Sequence, residues 1–170
     1  VKDNNYQLYK EGLEEYPRGE VITGNILMLL WIGAGTLASY LLWPVLAWVF
    51  LAIALLMIYV VLRKLVCTHC YYYGKRCSIG WGKLAAMMFS RGSIERFPET
   101  TGIKIAPFVY GSLTLVPVIV LIVLMLKQFD IIQPVLLVFI LGFGFYSGTV
   151  TRKRSCSRCK MRIICPGSAV

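Results

Sequence analysis

The sequence predicts an all-α integral membrane protein. Its four transmembrane helices form two tandem hairpin repeats, each followed by a cytoplasmic cysteine block, with short amphipathic helices at the interface. Three observations lead there: long stretches without charge, a one-sided distribution of Lys and Arg, and cysteines confined to two blocks.

Hydrophobic residues make up 58% of the 170 positions, too many for the remaining polar surface to cover a soluble globule. No charged residue falls between Glu20 and Arg63, between Lys104 and Lys127, or between Asp130 and Arg152. A helix needs roughly 20 residues to cross the hydrocarbon core. The first gap therefore holds two crossings and the others one each, at 21–42, 45–62, 105–126 and 131–150. The chain divides into an amphipathic segment 1–20, hairpin 21–62, cysteine block and interfacial helix 63–104, hairpin 105–150 and cysteine block 151–170. The acids Asp3, Glu11, Glu14, Glu15 and Glu20 near the start are unlike a secretory signal, which opens basic and turns apolar.

The net charge is +10, and its placement matters more than its size. With four crossings, residues 1–20, 63–104 and 151–170 share one side, and they carry 17 of the 18 Lys and Arg residues. That asymmetry is the positive-inside pattern, so the N-terminus, the C-terminus and both cysteine blocks are expected in the cytoplasm. Attraction to a bilayer with anionic headgroups accounts for the basic excess without nucleic acid. Thiols in that compartment are held reduced, which favours metal ligation or redox chemistry over structural disulfides.

Tyr6, Tyr9, Leu13 and Tyr16 recur at helical spacing before Pro17, predicting a short interfacial helix. Its acids Glu11, Glu14 and Glu15 are placed to neutralise basic residues on the same side. Gly33-Ala34-Gly35 with Ala38-Ser39, and Gly142, Gly144 and Gly148, give spans one and four low-relief faces for close helix contact inside the bundle, or for dimerisation. Pro107, Pro117 and Pro134 kink or begin spans three and four. The spans hold no Asp, Glu, Lys, Arg or His, which argues against an ion or proton path. Trp81, Leu84, Ala85, Met88 and Phe89 form one helical stripe, read as a second interfacial helix anchored by its indole at headgroup depth.

The first block reads C-x2-C-x6-C (Cys67, Cys70, Cys77) and the second C-x2-C-x5-C (Cys156, Cys159, Cys165). A C-x2-C step folds the backbone beneath an ion so that two thiolates reach it, and a third cysteine can close back. Three ligands per block is one short of a tetrahedral site. The blocks can share six thiolates between two zinc ions. They can pool their C-x2-C pairs in one four-thiolate zinc or iron site. Or they can hold iron–sulfur clusters.

Over about twenty residues the spacing resembles the binuclear zinc clusters of fungal transcription factors. The tail Cys159-Lys160-Met161-Arg162-Ile163-Ile164-Cys165 keeps basic residues typical of them. Some 78 residues and two spans separate the blocks here, so the resemblance implies ligand geometry and no DNA binding. Cys165-Pro166 resembles the Cys-Pro that closes bacterial ferredoxin motifs, whose tighter C-x2-C-x2-C-x3-C run is absent. His69 sits inside the first C-x2-C, as an awkwardly placed ligand or as a neighbour of the site. Lys75, Arg76, Arg154, Arg158, Lys160 and Arg162 are expected to favour thiolate over thiol, or simply to follow the positive-inside rule.

The leading expectation is a small membrane subunit with a cytoplasmic cysteine-ligated metal, zinc first, that staples the bundle and docks or stabilises a larger complex. Its partner is another membrane protein or a second copy. An iron–sulfur electron-transfer subunit is the alternative, and a quinone-linked thiol oxidoreductase the next. A single histidine and the lack of a G-x4-G-K-[ST] run leave no support for triad hydrolysis or phosphate-loop chemistry.

Overall fold

The computed structural model describes residues 7–170. Helix α1 spans Arg18–Leu42 and α2 Pro44–Leu55. A π-helical stretch Leu56–Val61 and the short α3 Leu62–Leu65 continue α2 toward the first cysteine block. Helix α4 (Trp81–Met88) and a 3-10 segment (Ile94–Glu99) lie between the hairpins. Helices α5 (Thr101–Lys127) and α6 (Ile132–Tyr146) follow, and a π-helical stretch Ser147–Thr151 joins α6 to α7 (Arg152–Ser157). No strand occurs among the described residues.

Four helices are long and apolar enough to cross a membrane: Arg18–Leu42, Pro44–His69, Thr101–Lys127 and Ile132–Ser157. They make the chain a multi-pass membrane protein. They are longer than the charge-free stretches because the helical backbone runs on past the basic residues. The second helix of each hairpin passes through a π segment shortly before its cysteines.

The hairpin turns are tight. Trp43 is extended and Pro44 opens α2, where a missing N–H costs nothing. In the second hairpin, Asp130 Oδ1 accepts the Ile132 N–H at 3.1 Å, and buried Gln133 donates to the Gln128 carbonyl at 2.9 Å.

Helix α1 is the hub, touching α2, α5 and α6. A Cβ on Gly35 would come 2.7 Å from the Phe50 ring of α2 and 3.2 Å from Pro117 of α5. Ala38 and Ser39, one turn on, are fully buried. The small face of α1 thus does bring helices together. Pro107 and Pro117 lie inside α5, and Pro134 sits in the first turn of α6.

Three expectations are corrected. Residues 7–17 form turns and extended chain, not an amphipathic helix, because their backbone N–H groups bond to other segments; Tyr6 lies outside the described residues. Trp81 does begin a helix, but its indole is buried in the core beside Ile58 and Leu62 instead of anchoring at headgroup depth. In the fourth span Gly142 and Gly148 have no side chain within 4 Å of a built Cβ, and Gly144 meets only Thr114, at 3.9 Å. Those glycines do not serve close packing within the chain. Only 6% of that span's most apolar stretch is buried, against 22–28% in the other three.

Candidate functional site

Both cysteine blocks lie at the end of the bundle where residues 7–17 pack. In the first, helix gives way at Val66 to a 3-10 turn, Cys67–His69. The Cys70 N–H donates to the Cys67 carbonyl at 3.3 Å, the Tyr73 N–H to Cys70 at 3.1 Å and the Gly80 N–H to Cys77 at 2.8 Å. The second block repeats the pattern at every cysteine. The Cys159 N–H donates to Cys156 at 3.1 Å, Arg162 to Cys159 at 3.1 Å and Ser168 to Cys165 at 3.0 Å. Each cysteine therefore opens a turn closed three residues later. The N–H two residues on is aimed at the sulfur of Cys70 (from Tyr72), Cys159 (from Met161) and Cys165 (from Gly167). Such bonds favour a sulfur carrying negative charge.

Glycine makes the first block possible. Gly74 and Gly80 adopt φ of 77° and 75°, the left-handed region open to a residue without Cβ. Gly82 lies so close beneath the loop that a Cβ would sit 1.8 Å from the Tyr72 carbonyl oxygen.

The six thiols are free of disulfides. Within each block all three thiols interact electrostatically, and Cys70 also feels Cys159 across the gap. Among the described residues, no three His, Cys, Asp or Glu side chains converge closely enough to hold a metal ion. Burial pushes the Cys159 thiol up to about 11 and raises Cys70 and Cys165 as well. Burial outweighs the expected pull of neighbouring cations, of which Arg152 does draw the Cys165 thiol down, and several of the other basic side chains are paired with acids. Lys75 and Lys160 pair with Glu14, Arg76 with Glu15 at 2.5 Å, and Arg158 with Glu20 at 2.8 Å. Arg154 adds a longer contact to Glu20, at 3.9 Å.

Glu14 and Glu15 belong to a strap that the periodicity concealed, whereas Glu20 lies in the first turn of α1. The N–H groups of Tyr9 and Leu13 donate to the carbonyls of Lys160 and Arg158, and that of Tyr16 to Arg76. The segment thereby ties the second block to the first. The expected neutralisation of the basic surface occurs through Glu14 and Glu15, with Glu20 added; Glu11 instead accepts the Tyr9 hydroxyl at 2.9 Å. The Tyr16 hydroxyl donates to the Ser155 carbonyl at 2.7 Å. Tyr72, buried at the junction, has its hydroxyl within reach of the Cys159 sulfur.

His69 is engaged with the connector. Its Nδ1 donates to the Ser93 carbonyl at 2.9 Å, and its ring lies against Gly92, between the block and the connector to α5. No protein-family model matches the chain, and comparison with curated proteins and with solved structures finds no match either.

Proposed function

We propose that this protein is a small multi-pass membrane subunit whose cysteine-bearing face holds a thiolate-ligated metal, zinc first, that staples the bundle. The paired turns carry the reading: matching cysteines of both blocks sit at the head of like turns, with main-chain N–H groups aimed at sulfur. Hydrogen bonds of this kind hold thiolate ligands in place and offset their charge. Ligation requires the three thiols of a block to close in on the ion. By the positive-inside rule the face is cytoplasmic, where thiols stay available to metal.

The subunit docks or stabilises a larger membrane assembly, or pairs with a second copy. The sparsely covered fourth span, with Gly142 and Gly148 open, supports a neighbour there. An iron–sulfur electron-transfer subunit is the second reading, since N–H groups aimed at sulfur serve such clusters equally well. A quinone-linked dithiol enzyme is weaker. Its attacking thiol works best with a pKa near the ambient pH, and burial pushes Cys159 up to about 11.

Anaerobically purified full-length protein, assayed for zinc, iron and acid-labile sulfide with a visible spectrum, tests the reading. Colourless protein with stoichiometric zinc supports the staple. Brown protein with iron and sulfide transfers the site to electron transfer, and metal-free protein with reactive thiols contradicts both.

A further inference from the structure

A hollow of about 440 Å³ opens where span two ends. Lys64, Thr68 and His69 of that end line it together with Phe89, Arg91 and Gly92 of the connector. The two sides are tied to each other. The Gly92 N–H donates to the Thr68 carbonyl at 2.9 Å, and His69 Nδ1 donates to the Ser93 carbonyl at 2.9 Å. The fit is close, since a Cβ on Gly92 would stand 2.4 Å from the His69 ring. The hollow is therefore built into the way the connector packs on the helix end.

Its two cations stand apart from those around the strap. Lys75, Arg76, Arg158 and Lys160 are held by carboxylates, whereas among the described residues no carboxylate pairs with Lys64 or Arg91. Both of these side chains are exposed. A concave surface lined by one sign of charge focuses its field and draws in the opposite sign. Its place in the molecule is equally telling. Lys64 lies in α3, the last α-helical turn of span two, and the next span begins beside it: a Cβ on Gly102 would come 2.6 Å from Leu65. Met88 also lines the hollow, 49% exposed, and the neighbouring Met87 is 81% exposed. Basic groups beside open apolar side chains at a helix end suit the boundary between headgroups and acyl chains.

We propose that this hollow binds the phosphate group of an anionic phospholipid, with Lys64 and Arg91 meeting the phosphate and Met88 lying against the apolar part of the lipid. A guanidinium presents parallel N–H groups to two phosphate oxygens, and an ammonium adds a compact point charge. The position at a span end and the open methionines favour a lipid over free phosphate, which would use the same cations but not Met88. The proposal stands apart from the metal reading, since it uses no thiol. It also differs from a general attraction of basic surface for anionic headgroups. Lys83, exposed on α4 and outside the hollow, takes part only in that general attraction.

The intact chain in a zwitterionic detergent, titrated with dioleoyl phosphatidylglycerol and followed by native mass spectrometry, tests it. Phosphatidylcholine with the same acyl chains and inorganic phosphate are run alongside. One phosphatidylglycerol should be retained per chain in preference to phosphatidylcholine, and inorganic phosphate should not displace it. A basic residue near an anionic headgroup is worth about fivefold in affinity, so Lys64→Gln and Arg91→Gln should each weaken binding by at least that factor. Both side chains are exposed, so neither change disturbs the fold. Lys83→Gln should leave binding unchanged. Gly92→Ala keeps every charge but crowds His69, and should weaken binding as well. Equal losses in the Lys64, Arg91 and Lys83 variants would reduce the effect to diffuse attraction and overturn the site. Inorganic phosphate that displaces the lipid overturns the lipid as occupant. Equal retention of phosphatidylcholine, or none of either lipid, overturns the proposal outright.

Discussion

The hydroxyl of Tyr72 accepts the backbone N–H of Lys160 at 3.1 Å, joining the residue after Cys159 to the loop after Cys70. The same hydroxyl donates to the Leu13 carbonyl at 2.7 Å. One oxygen thus locks together both cysteine blocks and the N-terminal strap, and the ring beneath it is only 2% exposed.

Tyr72→Phe keeps the ring and strands the Leu13 carbonyl and the Lys160 N–H. An unsatisfied buried polar group costs about 1–3 kcal/mol. Thermal unfolding in detergent should fall accordingly, and residues 7–17 should become more open to protease. Unchanged protease sensitivity would show that the strap is held elsewhere.

The glycines separate into those that position the site and those that do not. Gly82→Ala drives a Cβ into the Tyr72 carbonyl and should destabilise by about 1–3 kcal/mol or more, since backbone cannot move aside as a side chain can. Gly142→Ala meets nothing in the chain and should be neutral or stabilising by up to about 1 kcal/mol. Unfolding midpoints of the two variants in one detergent compare them. If Gly142→Ala instead impairs assembly size on gel filtration, the open face is a docking surface.

Glu14 provides a pH signature. Hydrogen bonds from Lys160 and Tyr71 hold its carboxyl down to about 2, against 4.5 for a free glutamate. The folded state therefore favours the ionised form. Its contribution is complete above pH 4.5 and is lost as pH falls from there toward about 2. Proteolysis of the strap by an acid-active protease should rise across that window, and Glu14→Gln should flatten the rise. A rise of equal size in the variant assigns it to other groups.

The spans were legible because lipid forbids charge along a crossing helix, so gaps between charges mark crossings almost directly. The small face around Gly35 and Ala38 was legible for a related reason, since only small residues let backbones approach. The strap was not. Tyr9, Leu13 and Tyr16 have helical spacing, yet their N–H groups serve Lys160, Arg158 and Arg76, partners 60 or more positions away in sequence. Gly12, wedged against Lys160, was the local warning.

Around the cysteines, spacing revealed the turns and hid the charges. Arg63 was counted as the boundary of a span, whereas it is buried between Tyr59 and Trp81. The four-residue ladder Tyr59, Arg63, Cys67 was the signal available for it. The pairing of the cations near the thiols was also hidden, because Glu14 and Glu15 reach theirs only after the strap folds across the blocks, while Glu20 reaches Arg158 from α1.

The central claim is that these cysteines ligate metal, and metal counted per chain in single-cysteine variants tests it most directly. Unaltered protein, Cys67→Ser and Cys156→Ser would be purified anaerobically side by side and analysed for zinc, iron and sulfide. Bound metal is expected in the unaltered protein and should be lost from Cys67→Ser and from Cys156→Ser alike. Metal content that is zero throughout, or the same in all three proteins, would contradict it.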